Sequence, residues 1–467
     1  MHVRSDSLCT AAGRLWRSLA FAAAAAAMLP LLGSSAWAQS EETSEPAAAL
    51  RLIKIIPING TAGSPNTQLF SFDISFVDPK TGLYYLADRS NRALDVIDTT
   101  GAFAGQGSST GPDTLFGQIG GAAFNFGGDT GLNQPSNVAQ GPNGVVAASP
   151  CIFATDTPSR VVSFDSSVSF TAAVSSLNTG GGNLRADELA FDPRDRLILA
   201  INNANTPPFG TLINVSTSCV LSAPKTIFFT TGNGVNATNG AEQPVWDPNT
   251  QRFYVSIPEI NGPGDGTGPN GGVARINPLT GVIETVYPVN FMQPAGLTLG
   301  PNGDLLVGAN SVFDTAGKKC TAVVSGSVTS PVGVPATCTG IAAPQSAICN
   351  PGRGCTPANG SLVSVPGVGG GDEVWFNSGD GNYYVTAGNN PVGPVFGVIG
   401  SVVNDLTQLV PTLPPVPAVT SGANKHGAGT VHSVAASAAN NHVYVPLPAN
   451  TSYPDCAQGC IAVFGVP

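Results

Sequence analysis

The sequence has little charge. Only 10 % of its 467 residues are Asp, Glu, Lys or Arg, and 19 basic residues face 29 acidic ones. At a formal charge of −10 the chain is a poor candidate for binding nucleic acid or anionic membrane. No Cys-x-x-Cys pair and no Cys-x-x-Cys-His occurs. The common spacings of structural zinc and of covalently attached haem are therefore excluded. After the N-terminal apolar run, no stretch is long and apolar enough for a membrane-spanning helix, and no long segment has a helical period. What the chain has instead is 57 Gly, 39 Pro and 42 % hydrophobic residues. That is the composition of a turn-rich β protein with a large core.

The N-terminus reads as a targeting segment. Arg14 and Arg17 precede the apolar run LAFAAAAAAMLPLLG, and Ala36-Trp37-Ala38 offers a small-x-small cleavage site before Gln39. The expectation is a signal peptide over 1–38, a flexible lead over 39–50 and export to the periplasm or medium, with an uncleaved anchor as the alternative. Removing 1–38 takes away Arg4, Arg14, Arg17 and Asp6, a net +2, and leaves −12. Cys9 goes with it. The remaining Cys151, Cys219, Cys320, Cys338, Cys349, Cys355, Cys456 and Cys460 are even in number, which in an exported chain favours disulfides. Cys349–Cys355 and Cys456–Cys460 are close enough in sequence to staple loops. Cys151–Cys219 and Cys320–Cys338 are the expected longer pairs.

The stretch FDISFVDPKTGLYYLADRSN, from Phe72, reads as strand, tight turn and strand, and it recurs. Related stretches start at Asp187, Glu242, Ala295, Asp372 and His432, and an irregular one at Ser136. With Asp73 these make seven copies. Their spacings of 63, 51, 55, 53, 77 and 60 residues exceed the roughly 40–50 of a propeller blade by loop insertions. The largest gap holds a Cys-rich insertion over about 318–360. The turns DPKTG, DPRD, DPNT, GPNG and SGDG carry hairpin chemistry. Repeated all-β units of this kind close into a ring to remove sheet edges. The expected fold is a single seven-bladed β-propeller over 51–467, with six blades as the alternative. Arg51–Ile58 has no hairpin partner and would complete the last blade. Gly107–Gly111 matches G-x-S-x-G and Gly266–Gly271 matches G-x-G-x-x-G, but neither is followed by a helix, so both read as loops.

In such a blade the first strand starts, and the second ends, at the same mouth of the channel. Aligned on the turns, Asp73, Ser136, Asp187, Glu242, Ala295, Asp372 and His432 are equivalent, and Asn137, Glu188, Gln243 and Glu373 adjoin them. Asp88, Asp156, Asn203, Glu259, Asn310 and Asn389 lie at second-strand ends. Crowded carboxylates repel unless a cation or hydrogen-bond donors separate them. Oxygen ligands suit Ca²⁺ or Mg²⁺, and His432 would also admit Zn²⁺, Mn²⁺ or Fe²⁺. The competing reading is that these residues cap strands by binding backbone N–H groups.

The tails YYVTAGN, FYVSIPE and VYVPLPAN resemble the YVTN-type repeat proteins, and more broadly the NHL-repeat and gluconolactonase-like propellers. The resemblance covers nearly the whole chain after the leader. It implies the propeller fold and leaves the activity open among lactonases, lyases and proteins without known chemistry. From the gluconolactonase-like side it implies a divalent metal at the mouth, held by Glu242, Asn137 and Asp187 or Asp372, that would polarise a lactone carbonyl. From a lyase-type propeller it implies His426 and His432 as an acid–base pair, with His432 the single catalytic candidate. Two functions follow as expectations. One is an exported binding propeller or scaffold for a small molecule or protein. The other is a metal-dependent hydrolase or lyase acting on a lactone-like molecule.

Overall fold

The Asp-Pro turns are where local chemistry fixes the architecture. The carboxylates of Asp78, Asp192 and Asp247 accept from the backbone N–H groups of Lys80, Arg194 and Asn249 at 3.0, 2.8 and 2.9 Å. The chain then reverses through a residue with positive φ, four positions after the turn residue: Gly82, Arg196, Gln251, Gly381 and Asn441. Each turn joins the two innermost strands of one sheet. The computed structural model describes residues 49–60, 68–129, 139–167, 170–313, 316–317, 345–369, 371–388, 390, 394–411 and 430–467.

Among these residues stand seven four-stranded antiparallel sheets. The chain begins with β1 (Arg51–Pro57). The first blade is β2 (Ser75–Val77), β3 (Leu83–Asp88), β4 (Ala93–Asp98) and β5 (Thr114–Gly120). The second to sixth blades start at inner strands β6 (Val145–Ala148), β10 (Leu189–Asp192), β14 (Pro244–Asp247), β18 (Met292–Leu299) and β22 (Gly371–Asn377). The seventh is β26 (Ala435–Ser437), β27 (His442–Leu447) and β28 (Cys460–Gly465), with β1 as its outer strand. Each inner strand touches the inner strands of the preceding and following sheets, and β26 touches β2, so the ring closes. The fold is a seven-bladed β-propeller, as the repeats imply.

Closure also runs as expected. β1 pairs with β28 from Arg51↔Gly465 to Pro57↔Cys460, which covers the edge of β28 and makes β1 the outer strand of the four-stranded sheet. The expected lead over 39–50 lies outside the described residues up to 48, but its last residue is fixed. Leu50 donates its N–H to Gln408 Oε1 at 3.0 Å and accepts from Gln408 Nε2 at 2.7 Å. The Cys-rich insertion is shorter than the sequence suggests, because Gln345–Cys349 is the third strand of the fifth blade. The core is a set of apolar layers between neighbouring sheets, such as Tyr384, Phe396, Val443, Val445 and Phe464 between the sixth and seventh blades. Among the described residues no helix is long and apolar enough to cross a membrane.

Three disulfides are present among the described residues. Cys349–Cys355 and Cys456–Cys460 are the local staples, and Cys151–Cys219 joins the second and third blades across 68 residues. Cys320 and Cys338 lie outside the described residues. Closing a long loop constrains the unfolded chain more than closing a short one. Replacing Cys151 and Cys219 by Ser is therefore expected to cost about 2–4 kcal/mol, more than the same change at Cys456 and Cys460. Melting temperatures of the two double variants under non-reducing conditions check the order.

The irregular copy is where the sequence reading needs correction. GPNG (141–144) is not the hairpin turn of the second blade. It leads into β6, and the turn is Ser149-Pro150, two residues shorter than that of the first blade: Ala148 pairs with Cys151 where Asp78 meets Leu83. Backbone bonds fix the equivalence. Asp73 N–H donates to Ala87 O and Ala87 N–H to Ile74 O, at 2.9 and 3.1 Å. The matching pairs in the second blade are Asn143 to Thr155 O and Thr155 to Gly144 O, both at 3.0 Å. Asn143, and not Ser136 or Asn137, holds the ring position. Both of the latter lie outside the described residues.

Candidate functional site

The inner strands all start at one mouth of the channel, and their first residues meet there. Asp73 pairs with Arg89, which follows the end of β3. The same guanidinium donates from Nε to Asn143 Oδ1 at 2.8 Å and lies 4.0 Å from Asp187 Oδ1. Asp187 Oδ2 pairs with Arg185 at 2.7 Å. Arg185 donates to Asn203 Oδ1 at 3.3 Å, and Asn203 Nδ2 donates to Glu242 Oε2, also at 3.3 Å. Further round, Asn310 Nδ2 donates to Asp372 Oδ1 at 3.1 Å. On the other side of Asp73, His432 Nε2 stands 3.6 Å from its Oδ1.

Contacts thus link Asp73, Asp187, Glu242 and His432 through the first, second, third, fourth and seventh blades. Asp372 joins them electrostatically. The position of Ala295 contributes only a buried methyl group. Of the strand-end residues, Asn203 and Asn310 belong to the cluster. Asp88, Asp156 and Glu259 turn away and cap loops. Asp88 accepts from Asn91 N–H at 3.0 Å, Asp156 from Gly127 N–H at 3.1 Å and Glu259 from Gly268 N–H at 2.9 Å. Asn389 and His426 lie outside the described residues.

Sequence reasoning missed Arg89, Arg185 and Asn143. A search for oxygen ligands passes over arginine. Yet Arg89 directly follows a strand-end Asp, and Arg185 stands two residues before Asp187, in a chain with few cations. Both are buried, at 4 % and 8 % exposure. A guanidinium supplies planar, directed donors and is the natural partner for carboxylates in such a place.

The electrostatics follow from burial. Glu188 and Glu373 adjoin Asp187 and Asp372 and are 4 % and 3 % exposed. Burial pushes both carboxyls well above the ordinary range. The neighbouring carboxylates push them further, each acting on the other. Glu242 is pushed up to about 8, by burial first and then by Asp187 and Asp372. Burial, and after it Arg185, lowers Arg89 to about 9. Two buried oxygens, Asp187 Oδ1 and Glu188 Oε2, have no hydrogen-bond partner among the described residues.

Both ring nitrogens of His432 face backbone carbonyls, and the neutral ring donates to one of them. Nε2 lies 2.8 Å from the carbonyl of Phe72 and Nδ1 3.0 Å from that of Thr430. Its ring stacks on Phe72 with centroids 4.9 Å apart and planes 5° from parallel. Burial lowers its pKa, against Asp372 and the two carbonyls, which favour the charged ring. The side chain fastens the seventh blade to the first.

Among the described residues no group of three or more His, Cys, Asp or Glu side chains is placed to hold a metal ion. Arg89 stands between Asp73 and Asp187, and Arg185 pairs with Asp187, where the sequence reading expects a divalent cation. The motif matches are loops. Ser109 is buried and donates to Asp98 Oδ2 at 2.7 Å, and Gly266–Gly271 leads into a strand, Asn270–Ile276. No protein-family model matches the chain, and no curated protein matches it.

Proposed function

We propose that this chain is an exported binding propeller whose polar mouth takes a small molecule rich in hydrogen-bond donors, a polyol or an ammonium compound. The observation that carries the reading is the convergence of six carboxyl groups and only two guanidinium groups at one mouth, with Asp187 Oδ1 and Glu188 Oε2 unsatisfied. A ligand with donors would complete those oxygens, and the excess of acid favours a neutral or cationic one. The three disulfides support an oxidising compartment. The likeness of the strand tails to YVTN- and NHL-type repeats supports a repeat propeller with a ligand at the mouth.

The alternative, a metal-dependent hydrolase or lyase for a lactone-like molecule, rests on the same carboxylates with His432. It asks His432 for a free ring nitrogen, and both face backbone carbonyls. Fold alone does not choose, since propellers host many activities.

A panel of polyols, amines and lactones, each with Ca²⁺, Mg²⁺ or chelator, separates the two by calorimetry and turnover. The expected result is chelator-insensitive binding of a polyol or amine without turnover. Asp372 is half-buried and accepts from the side-chain amide of Asn310. Asp372→Asn should therefore weaken that binding by about 10–100-fold, the worth of a charged hydrogen bond. Lactone turnover abolished by chelator would overturn the reading in favour of the enzyme.

A further inference from the structure

Beyond the polar mouth, the channel changes character. A cavity of about 590 Å³ is bounded by the inner strands of the first six blades and, at the far end, by the hairpin turns of the first three. Phe76, Phe191, Trp246 and Trp375, from four different blades, line it, and all four are only half-buried. Phe76 meets Trp375 edge-on with ring centroids 5.2 Å apart. The hairpin does not require these rings. The seventh blade makes the same turn after Ala435–Ser437 with alanine in the corresponding places, and the second makes a shorter one after Val145–Ala148 with Val146 and Ala147 there. Leaving four large aromatic side chains partly exposed around one void forgoes burial that the fold could have used.

The rim is cationic in an acidic protein. Lys80 and Arg196 are the basic residues lining the cavity, and Asp78 the acidic one. Asp78 is already spent, accepting from Lys80 N–H at 3.0 Å, from Thr81 Oγ1 at 2.7 Å and from the Ser149 hydroxyl. The Arg196 guanidinium lies 6.0 Å from the centre of the Phe191 ring, so positive charge borders the apolar wall. The volume falls in the range of small-molecule sites, about 300–1,000 Å³, where aromatic walls and a few polar groups are the rule.

We propose that this cavity is a second binding site of the channel, and that it takes a planar aromatic carboxylate or sulfonate. The rings stack on or edge against the aromatic body, and Lys80 and Arg196 receive the anionic group.

The test is calorimetric titration of the full chain with naphthalene-2-carboxylate and with its cationic counterpart, 2-naphthylmethylammonium. The carboxylate is expected to saturate one site per chain and to bind at least tenfold more tightly than the ammonium. Lys80→Gln should weaken the carboxylate severalfold and shrink that preference. Ala148→Phe projects a ring into the void and should abolish binding with the melting temperature preserved. If that variant fails to fold, the comparison of the two probes on the unaltered protein still decides. Equal binding of the ammonium, no saturation by the carboxylate below millimolar concentration, or undiminished binding to folded Ala148→Phe would each overturn the proposal.

Discussion

Arg89→Met is expected to lower stability by about 3–5 kcal/mol, the usual cost of removing one partner from a buried ion pair. Arg89 is 4 % exposed, and its guanidinium serves three blades at once. It pairs with Asp73, donates to Asn143 at 2.8 Å and to the Phe72 carbonyl at 3.4 Å, and lies 4.0 Å from Asp187. A thioether of similar length fills the space and supplies no donor. Asp73 would keep only His432 nearby, and Asn143 would lose the donor to its side-chain oxygen inside the ring. Much of the cost is that of the carboxylate left behind, so Asp73→Asn in the Arg89→Met background should recover part of it. Thermal melts of the two single variants and the double variant form a cycle that isolates the pair. Additive losses would mean that the two side chains act independently. Arg89→Lys should recover little, because an ammonium cannot reach several acceptors in fixed directions.

The architecture was legible because the hairpin is encoded locally and repeatedly. An Asp before Pro opens three of the turns, a Gly or Asn takes the positive φ at Gly82, Gly381 and Asn441, and apolar strands flank each turn. The second blade misled because GPNG has the composition of a turn while serving as an entry to a strand. Its true turn, Ser149-Pro150, is two residues shorter than that of the first blade and carries no Asp. That error moved the ring position from Asn143 to Ser136, with Asn137 beside it. Equivalence was enough to bring Asp73, Asp187, Glu242, Asp372 and His432 to one mouth, since blade geometry carries equivalent residues to equivalent places. What separates them from one another is not periodic. Arg89 and Arg185 come from two different connections, and no repeat predicts them. Whether a strand-end acid enters the channel or caps a loop also depends on its blade. Glu259 has the N–H groups of Gly264 and Gly268 to bind, whereas Asn203 has Arg185 and Glu242.

The buried carboxyls set a pH dependence opposite to that of a protein stabilised by exposed ion pairs. Asp156 is pushed up to about 6, Asp88 to about 7 and Glu242 to about 8, in each case by burial first. Asp95, raised by burial first and then by its neighbour Asp88, stands well above the ordinary range, as do Glu188 and Glu373. In the unfolded chain such groups lose their protons near pH 4. Between that point and the folded values, the native state binds more protons than the unfolded state, so stability falls as pH rises. It is greatest at and below about pH 4 for these groups, and it is lost progressively as pH passes through about 6, 7 and 8. Each tenfold weakening of a carboxyl's acidity on folding is worth about 1.4 kcal/mol, less where the groups restrain one another. From pH 5 to pH 9 the melting temperature is therefore expected to drop on the order of 5–10 °C. Glu188→Gln with Glu373→Gln removes two of the charges that would otherwise be created inside the channel. That double variant should melt above the unaltered protein at pH 9, nearly match it at pH 5 and show a flatter profile between. A melting temperature that instead climbs from pH 5 to pH 9, or a double variant with an unchanged slope, would mean that these carboxyls ionise freely and that the channel is wetter than the structure makes it.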